Sequence, residues 1–412
     1  MPKQFHTHQL SNGLRVVIEV MPHVDSAAAG FLSRTGARDE TRATAGVSHY
    51  LEHMCFKGTP KRDWAQINIA FDEMAGDYNA FTSKQRTFYY GWVRASDIDR
   101  QIELLADMMR STLPPDEFTT EKQVILEEIA MSNDRLEHLV IDLLHEKVFG
   151  DHPLSWPVLG YDTTVQDLSR DTMADYFSRR YAPDNLILFV AGNVDPDAIV
   201  ATVERLCGDW TPGGAVTERT AGTIHTGSTC QQVDRFNQQC VALVFASPGG
   251  LDPVDETAEA TASILGGSNS RMFWNVVQEG VAPRAGAFRM EYVDCGMMIL
   301  YGMCDPEHCE KLVDALRREA ATMSAEGVKT HEVDRVRNRR RTSLAVEAEA
   351  PYYRLVQLMD DVDVHGRPMT VDERLERVDA ITVESVRDYL DAYPITGDGY
   401  AISVGPRDWT VR

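Results

Sequence analysis

The sequence has no C-x-x-C pair and no long apolar run. Its seven cysteines are odd in number and scattered through 412 residues, which argues against both a disulfide framework and a thiolate zinc site. No stretch reaches the roughly 20 apolar residues of a membrane-spanning helix, and the first 20 residues do not form a secretory signal. We therefore expect a cytoplasmic protein that does not associate with a membrane.

Basic residues are scarce relative to acidic ones. There are 63 Asp and Glu against 41 Lys and Arg, which gives a net charge of −22. A charge of this sign repels nucleic acid and anionic membranes, so neither is expected as a partner. The acidic excess has two interpretations, a solvated surface that maintains solubility or an acidic interior that favours basic peptides.

The length exceeds what one hydrophobic core usually supports, so we expect two or more domains. Residues 211–230 are rich in Gly, Thr and Pro without helical or strand periodicity, and predict a linker. The linker separates an N-terminal domain, residues 1–210, from a C-terminal domain, residues 231–412. Each half runs through β-rich sequence, a helical stretch (45–58 and 256–280), another strand and a charged amphipathic helix. This shared order predicts an α+β fold with two related domains.

One short segment suggests chemistry. Residues 48–59, SHYLEHMCFKGT, place two histidines four positions apart with a glutamate directly before the second. On a helix, His49, Glu52 and His53 fall within one narrow arc and can converge on one point. Two imidazoles one turn apart suit zinc, and the adjacent carboxylate can take a proton from water. The same pattern also occurs on ordinary solvated helices, so a third ligand is needed to decide.

A second helical stretch, residues 119–136, offers three carboxylates. Glu121 and Glu128 are seven positions apart and share a helix face, whereas Glu127 points about 100° away from Glu128. Acidic residues on an amphipathic helix more often form a solvated face. Spacing alone does not choose among the three.

Three motifs occur in the order found in a known family. They are GARDETRATAGVSHYLEHMCFKGT, DYNAFTSKQRTFYYGWV and EKQVILEEIAM. They resemble the pitrilysin and insulinase metallopeptidases, in particular the short bacterial members related to mitochondrial processing peptidase, whose signature is the inverted zinc motif H-x-x-E-H. The resemblance extends through nearly the whole chain. It implies the metallohydrolase fold of the processing-peptidase type, one Zn²⁺ per chain, and endopeptidase activity on unfolded peptides or small proteins in a dimeric chamber.

The resemblance also implies roles for individual residues. Two histidines and a distant glutamate hold zinc in the family, and these correspond here to His49, His53 and Glu128. Glu52 matches the base that activates water for attack on the peptide carbonyl. Glu121 matches a glutamate close to the site, which we interpret as a group that orients a histidine or its helix.

A third segment matches the family's substrate path. Asn79, with Ala80 and Phe81 beside it, corresponds to an edge strand along that path. We expect an extended peptide to pair with this strand through its main chain, which makes the sequence preference loose. The alternative for Asn79 is a turn or strand-end residue without substrate contact.

The second half departs from the family at two positions. Family members carry an arginine and, seven residues later, a tyrosine, which assist the carbonyl oxygen in the transition state. Here these positions hold Gln278 and Ala285. Either a homologous partner supplies both side chains in a heterodimer, which we favour, or a homodimer uses the nearby Arg284, Arg289 or Tyr292. The alternative for these three is a surface loop.

Two other functions stay open. A non-catalytic core or scaffold subunit of the same fold, as in respiratory cytochrome complexes, generally has a broken zinc motif, whereas this sequence keeps all four residues. A dedicated peptide-maturation factor would hold zinc and cleave a single substrate.

Overall fold

The computed structural model describes residues 4–213 and 219–411. Its strands in chain order are β1 (Phe5–Gln9), β2 (Arg15–Val20), β3 (Ser26–Ser33), β4 (Asp77–Thr82), β5 (Thr87–Arg94), β6 (Leu186–Gly192), β7 (Gly227–Gln232), β8 (Gln239–Ser247), β9 (Arg284–Glu291), β10 (Gly296–Cys304) and β11 (Tyr400–Gly405). Its α-helices are α1 (Val47–Cys55), α2 (Trp64–Met74), α3 (Ile98–Met108), α4 (Pro115–Asn133), α5 (Leu136–Phe149), α6 (Asp162–Asp167), α7 (Arg170–Arg180), α8 (Pro196–Cys207), α9 (Asp255–Gly266), α10 (Cys309–Glu326), α11 (Thr330–Glu347), α12 (Pro351–His365), α13 (Val371–Asp379) and α14 (Val383–Ala392).

The chain divides into two compact units, each built from three separate segments. Unit 1 comprises Met1–Ala130, Trp156–Arg219 and Ala345–Met369, and unit 2 comprises Met131–Ser155, Thr220–Leu344 and Thr370–Arg412. Helix α5, from the first half of the sequence, thus belongs to unit 2, and helix α12, from the second half, belongs to unit 1. The boundaries 1–210 and 231–412 remain a proposal for the duplicated unit, and the packing units cross them.

The predicted linker contains the start of a strand. Strand β7 begins at Gly227, inside the segment 211–230, and pairs in parallel with β11. Residues 214–218 of that segment lie outside the described residues. The Gly, Thr and Pro content of the segment therefore does not mark its whole length as irregular.

Unit 1 contains a six-stranded mixed sheet with the order β1-β2-β6-β3-β5-β4. Only β2 and β6 run parallel among its neighbours in the described chain. On one face Phe31 packs with Ile102 and Leu105 of α3, and on the other Phe189 packs with Leu358 of α12. Strand β4 ends the order, so one of its edges has no partner strand in the described structure.

Unit 2 contains a five-stranded mixed sheet with the order β7-β11-β8-β10-β9. Its one parallel pair in the described residues is β7 with β11. Without β1, the sheet of unit 1 has the same order and strand directions, with β4 and β9 in equivalent edge positions. The prediction of an α+β fold with two related domains is confirmed.

The helical stretch expected over residues 256–280 is shorter than predicted. Helix α9 ends at Gly266, and a separate π-helical turn, Phe273–Val277, follows. A Cβ on Gly266 would lie 1.6 Å from the backbone nitrogen of Ala287, so only glycine permits the close approach of α9 to β9.

Within residues 4–213 and 219–411, no helix combines the length and apolar character needed to cross a bilayer.

Candidate metal centre

Helix α1, which carries the H-x-x-E-H motif, begins beside a buried carboxylate. Gly46 precedes the helix with φ of +95°, and a Cβ there would lie 2.7 Å from the carbonyl oxygen of Leu159. The backbone N–H groups of Gly46 and Ser48 donate to the Glu40 carboxylate at 2.7 and 2.8 Å. Burial raises the pKa of Glu40 to about 8. These bonds satisfy N–H groups that the first helical turn leaves without partners, and they fix where α1 begins.

The side chains of α1 divide between the core and the site. Tyr50 and Met54, four positions apart, are fully buried in the core of unit 1. His49 is buried, whereas Glu52 and His53 are partly exposed. The core contacts fix the rotation of the helix about its axis, and with it the direction of the polar side chains.

Three side chains from α1 and α4 converge. Nε2 of His49 and Nε2 of His53 each lie 3.7 Å from Oε2 of Glu128. One ligand atom from each of the three lies within 4.8 Å of the other two. Two ligand atoms at about 2.1 Å from one ion can be up to about 4 Å apart. The separations to Glu128 therefore suit a shared ion.

The structure separates the three carboxylates of α4 that spacing leaves open. Glu128 faces both imidazoles, whereas Glu127 is exposed. Glu121 lies on the other side of the His53 ring, with its Oε2 3.0 Å from Nδ1. The structure therefore brings Glu128 and Glu121 to the histidines and leaves Glu127 on the surface.

The two histidines have opposite electrostatic surroundings. Burial, together with the neighbouring His53, lowers the pKa of His49 to about 3. Burial also acts to lower the pKa of His53, but Glu121, Glu52 and Glu128 outweigh it, and that pKa is raised. Metal binding requires neutral imidazole; the lowered pKa of His49 favours that form, whereas the carboxylates around His53 favour its protonated form.

The donor set fits zinc. Two imidazoles and one carboxylate form the set found in one class of catalytic zinc sites, which leaves a fourth position open. His49 presents its Nε2 towards Glu128, while its buried Nδ1 has no hydrogen-bond partner among the described residues. Both Nε2 atoms thus face Glu128, whereas Nδ1 of His53 faces Glu121.

Glu52 is held against strand β4. Its Oε2 accepts a hydrogen bond from Oγ1 of Thr82, the last residue of that strand, at 2.5 Å. Burial raises the pKa of Glu52, and the Thr82 hydrogen bond partly offsets that rise. The bond ties the candidate base to the edge of the sheet.

Strand β4 contains the three residues predicted to line the substrate path. Asn79, Ala80 and Phe81 pair with Tyr90, Tyr89 and Phe88 of β5. Asn79 is exposed, and its Oδ1 accepts the backbone N–H of Ala80 at 2.8 Å. Asn79 thus lies within an edge strand and not in a turn.

In unit 2, the two positions where family members carry arginine and tyrosine hold side chains that cannot replace them. Gln278 follows the π-helical turn, and Ala285 lies in the edge strand β9. Arg284 is exposed and pairs with Glu137 at 2.9 Å. Of the three candidate substitutes, Arg284 alone has a largely exposed side chain.

The surface-loop interpretation is wrong for Arg289 and Tyr292. Arg289 lies in β9 with a side chain 1% exposed, and it contacts Asp255 at 2.5 Å and the carbonyl oxygen of Pro248 at 2.7 Å. Tyr292 is buried, with its hydroxyl 2.5 Å from Nε2 of His145. Both side chains are engaged inside unit 2, Arg289 within β9 and Tyr292 directly after that strand.

The sequence reasoning missed two side chains at the site, Thr82 and Lys57. Lys57 follows His53 by four positions, and its Nζ lies 2.5 Å from Oε1 of Glu121. Thr82 lies two positions after Ala80, on the same side of the strand. The spacing of Lys57 from His53 and of Thr82 from Ala80 could have indicated both residues. Neither a lysine nor a threonine, however, identifies by its type the side chain that it contacts.

Two protein-family models together match most of the chain. Residues 15–162 match the family model described as Insulinase (Peptidase family M16). Residues 167–340 match the model described as Peptidase M16 inactive domain. Among curated proteins, the uncharacterized zinc protease YmxG of Bacillus subtilis is 32% identical over 381 residues, which cover 91% of this chain and 92% of that protein.

Solved structures share the fold at low sequence identity. A protease from Helicobacter pylori superposes with a TM-score of 0.91 at 19% identity and covers 98% of this chain and 100% of its own. A chain of Complex III2 from Candida albicans superposes with a TM-score of 0.84 at 17% identity, covering 98% of this chain and 96% of its own. One fold thus occurs in a protease and in a chain of Complex III2, so the fold by itself does not establish catalysis.

Proposed function

Because the chain belongs to the insulinase family of peptidases, family M16, we propose that it is a zinc-dependent endopeptidase subunit. Its substrates are unfolded peptides or small proteins. The observation that carries this proposal is the convergence of His49, His53 and Glu128, with Glu52 on the same helix beside them. A scaffold role requires none of these four groups, and a hydrolase requires all of them.

Each of these residues has a separate role. His49, His53 and Glu128 would hold one zinc ion, which supplies a Lewis acid for peptide hydrolysis when bound. Glu52 takes a proton from the attacking water and passes it to the leaving amine. Thr82 holds one oxygen of Glu52 through the 2.5 Å hydrogen bond and leaves the other oxygen for the proton transfer.

Strand β4 binds the peptide in this proposal. Its free edge offers main-chain groups with which an extended peptide can form hydrogen bonds, as in β-strand addition. Asn79, Ala80 and Phe81 then lie along the bound peptide. Since main-chain pairing is independent of side-chain identity, we expect a loose sequence preference.

A partner subunit completes the site. The positions expected to carry arginine and tyrosine hold Gln278 and Ala285, and the nearby Arg289 and Tyr292 are engaged inside unit 2. Recruiting either would break buried contacts, which favours a heterodimer in which a homologous subunit supplies both side chains across a closed chamber. A homodimer that uses the exposed Arg284 is the alternative.

A second candidate is a non-catalytic subunit. It is favoured by the match of residues 167–340 to a model described as an inactive domain, and by the shared fold with a chain of Complex III2. A maturation factor with one dedicated substrate is a third. The intact zinc-binding set and Glu52 favour the peptidase over the scaffold.

Zinc analysis and a fluorogenic peptide assay distinguish these functions. We expect one zinc ion per chain, no cleavage by the chain alone, and cleavage after mixing with the homologous partner. Glu52→Gln should keep the zinc and abolish turnover. Full activity of the chain alone would reject the heterodimer, and a chain that binds no zinc would reject the peptidase.

A further inference from the structure

One carboxylate connects the candidate zinc site to a lysine. The Glu121 side chain is only 6% exposed, and its two oxygens have different partners. Oε2 lies 3.0 Å from Nδ1 of His53, and Oε1 lies 2.5 Å from Nζ of Lys57. The three side chains therefore form a chain of hydrogen bonds that ends at a candidate zinc ligand.

Of the two histidines, only His53 is supported by a hydrogen bond to a carboxylate at Nδ1 in the described part of the chain. Nδ1 of His49 has no hydrogen-bond partner among the described residues, and that ring is held by burial. The His53 side chain is 25% exposed, so packing holds it less firmly. The Glu121 carboxylate therefore matters more for the orientation of His53 than any single group does for the orientation of His49.

Lys57 lies just beyond the end of α1, where its backbone N–H donates to the carbonyl oxygen of Met54 at 3.1 Å. The end of the helix therefore fixes the start of the Lys57 side chain, and its ammonium group reaches Glu121 on α4. A carboxylate with a fixed Oε1 cannot rotate freely, so its Oε2 stays directed at the His53 ring.

We infer that Lys57 is a positioning residue for the metal centre: through Glu121, it fixes the orientation of His53 and thereby raises the affinity for zinc. The inference rests on the proposed zinc site and adds a residue to it. With Nδ1–H of His53 donating to Glu121, Nε2 keeps its lone pair and faces Glu128. Outer-shell groups that orient ligating histidines in this way typically change metal affinity by about 10- to 100-fold.

The test measures zinc affinity by competition with a chromogenic chelator. Lys57→Met keeps the length of the side chain and removes the charge and the hydrogen bond, and we expect about tenfold weaker zinc binding or more. Lys57→Arg should restore most of the affinity. Lys61→Met is the matched control, because Lys61 is exposed and pairs with Glu103 at 2.9 Å.

A double-mutant cycle tests whether Lys57 acts through Glu121. In a Glu121→Gln background, Lys57→Met should cause little further loss of zinc affinity, since the connection is already broken. Equal losses in both backgrounds would overturn the inference. The melting temperature of each metal-free variant serves as a second measurement, and zinc affinity should fall without a comparable fall in that temperature.

The outcomes separate the two proposals. If the unmodified chain binds no zinc, the proposed function fails. If it binds one zinc ion per chain and Lys57→Met binds zinc as tightly as the Lys61→Met control does, only the role of Lys57 is overturned.

Discussion

A buried ion pair gives the sharpest stability prediction for unit 1. Arg354 of helix α12 has a side chain 1% exposed, and Glu19 of β2 has one 2% exposed. Nε of Arg354 donates to both Glu19 oxygens at 3.0 Å, and Nη2 lies 2.9 Å from Oε2. Gln4 donates to the same carboxylate at 2.9 Å. Glu19→Gln removes the negative charge and leaves the guanidinium group buried without it.

The expected cost follows from these distances. Two unit charges 2.9 Å apart interact by about 6 kcal/mol at an effective dielectric constant of about 20. Breaking a buried pair by removing one partner typically costs about 3–5 kcal/mol, because the remaining charge is left uncompensated. We therefore expect Glu19→Gln to lower the free energy of unfolding of unit 1 by about 3–5 kcal/mol.

Hydrogen exchange in increasing urea measures this cost, because peptides from β2 and β6 report on unit 1 directly. Glu73→Gln is the control: Glu73 pairs with Arg100 at 3.0 Å, and both side chains are more than half exposed, so its loss should cost less than about 1 kcal/mol. If Glu19→Gln shifted the unfolding of unit 1 no more than Glu73→Gln does, the assignment of α12 as a buried anchor of unit 1 would be refuted.

Three further predictions concern the candidate site. Glu128→Gln should weaken zinc binding by about tenfold or more, whereas the neighbouring Glu127→Gln, on the surface, should leave it unchanged; chelator competition measures both. In the peptide assay with the homologous partner present, Thr82→Val should lower kcat about tenfold with unchanged zinc affinity, because Glu52 loses its hydrogen bond; an unchanged kcat would contradict that role. The pKa of Glu40 in the folded state, about 8, lies above its ordinary value of 4.5, so the stability that it contributes is complete below about pH 4.5 and is lost as the pH rises through 8. The stability of the unmodified protein relative to Glu40→Gln should therefore fall by at most about 1.4 kcal/mol per pH unit over that range; urea unfolding at about pH 5 and pH 8 measures it, and a constant difference would contradict the buried carboxylate.

The local parts of the site could be predicted from the sequence. His49, Glu52 and His53 are neighbours on one helix, so the 3.6-residue period alone places them together. Several strands were also predictable, because their β-branched and apolar runs are bounded by turn residues, but β7 was not, since it begins inside the segment predicted as a linker. Apart from β1, the order of strands is the same in the two sheets, which agrees with the duplicated order of elements in the sequence.

Contacts between distant segments could not be predicted in this way. Helical spacing places Glu121 and Glu128 on one face but does not say which of the three carboxylates reaches the histidines, and only the packing of α4 against α1 decides that. Lys57 becomes informative only through its contact with Glu121, 64 positions later in the chain.

The membership of helix α12 in unit 1 could not be predicted for the same reason. It depends on Arg354 reaching Glu19 across 335 positions, and no local pattern encodes that contact. A boundary drawn from composition near residue 210 therefore does not describe which helices pack together.

The central claim is that His49, His53 and Glu128 bind one zinc ion. A crystal structure of the zinc-loaded protein, with anomalous data collected at the zinc absorption edge, tests it directly. The account predicts one anomalous peak per chain at about 2.0–2.2 Å from Nε2 of each histidine and from a carboxylate oxygen of Glu128. A peak at other residues, or a Glu128 side chain directed away from both imidazoles, would contradict it.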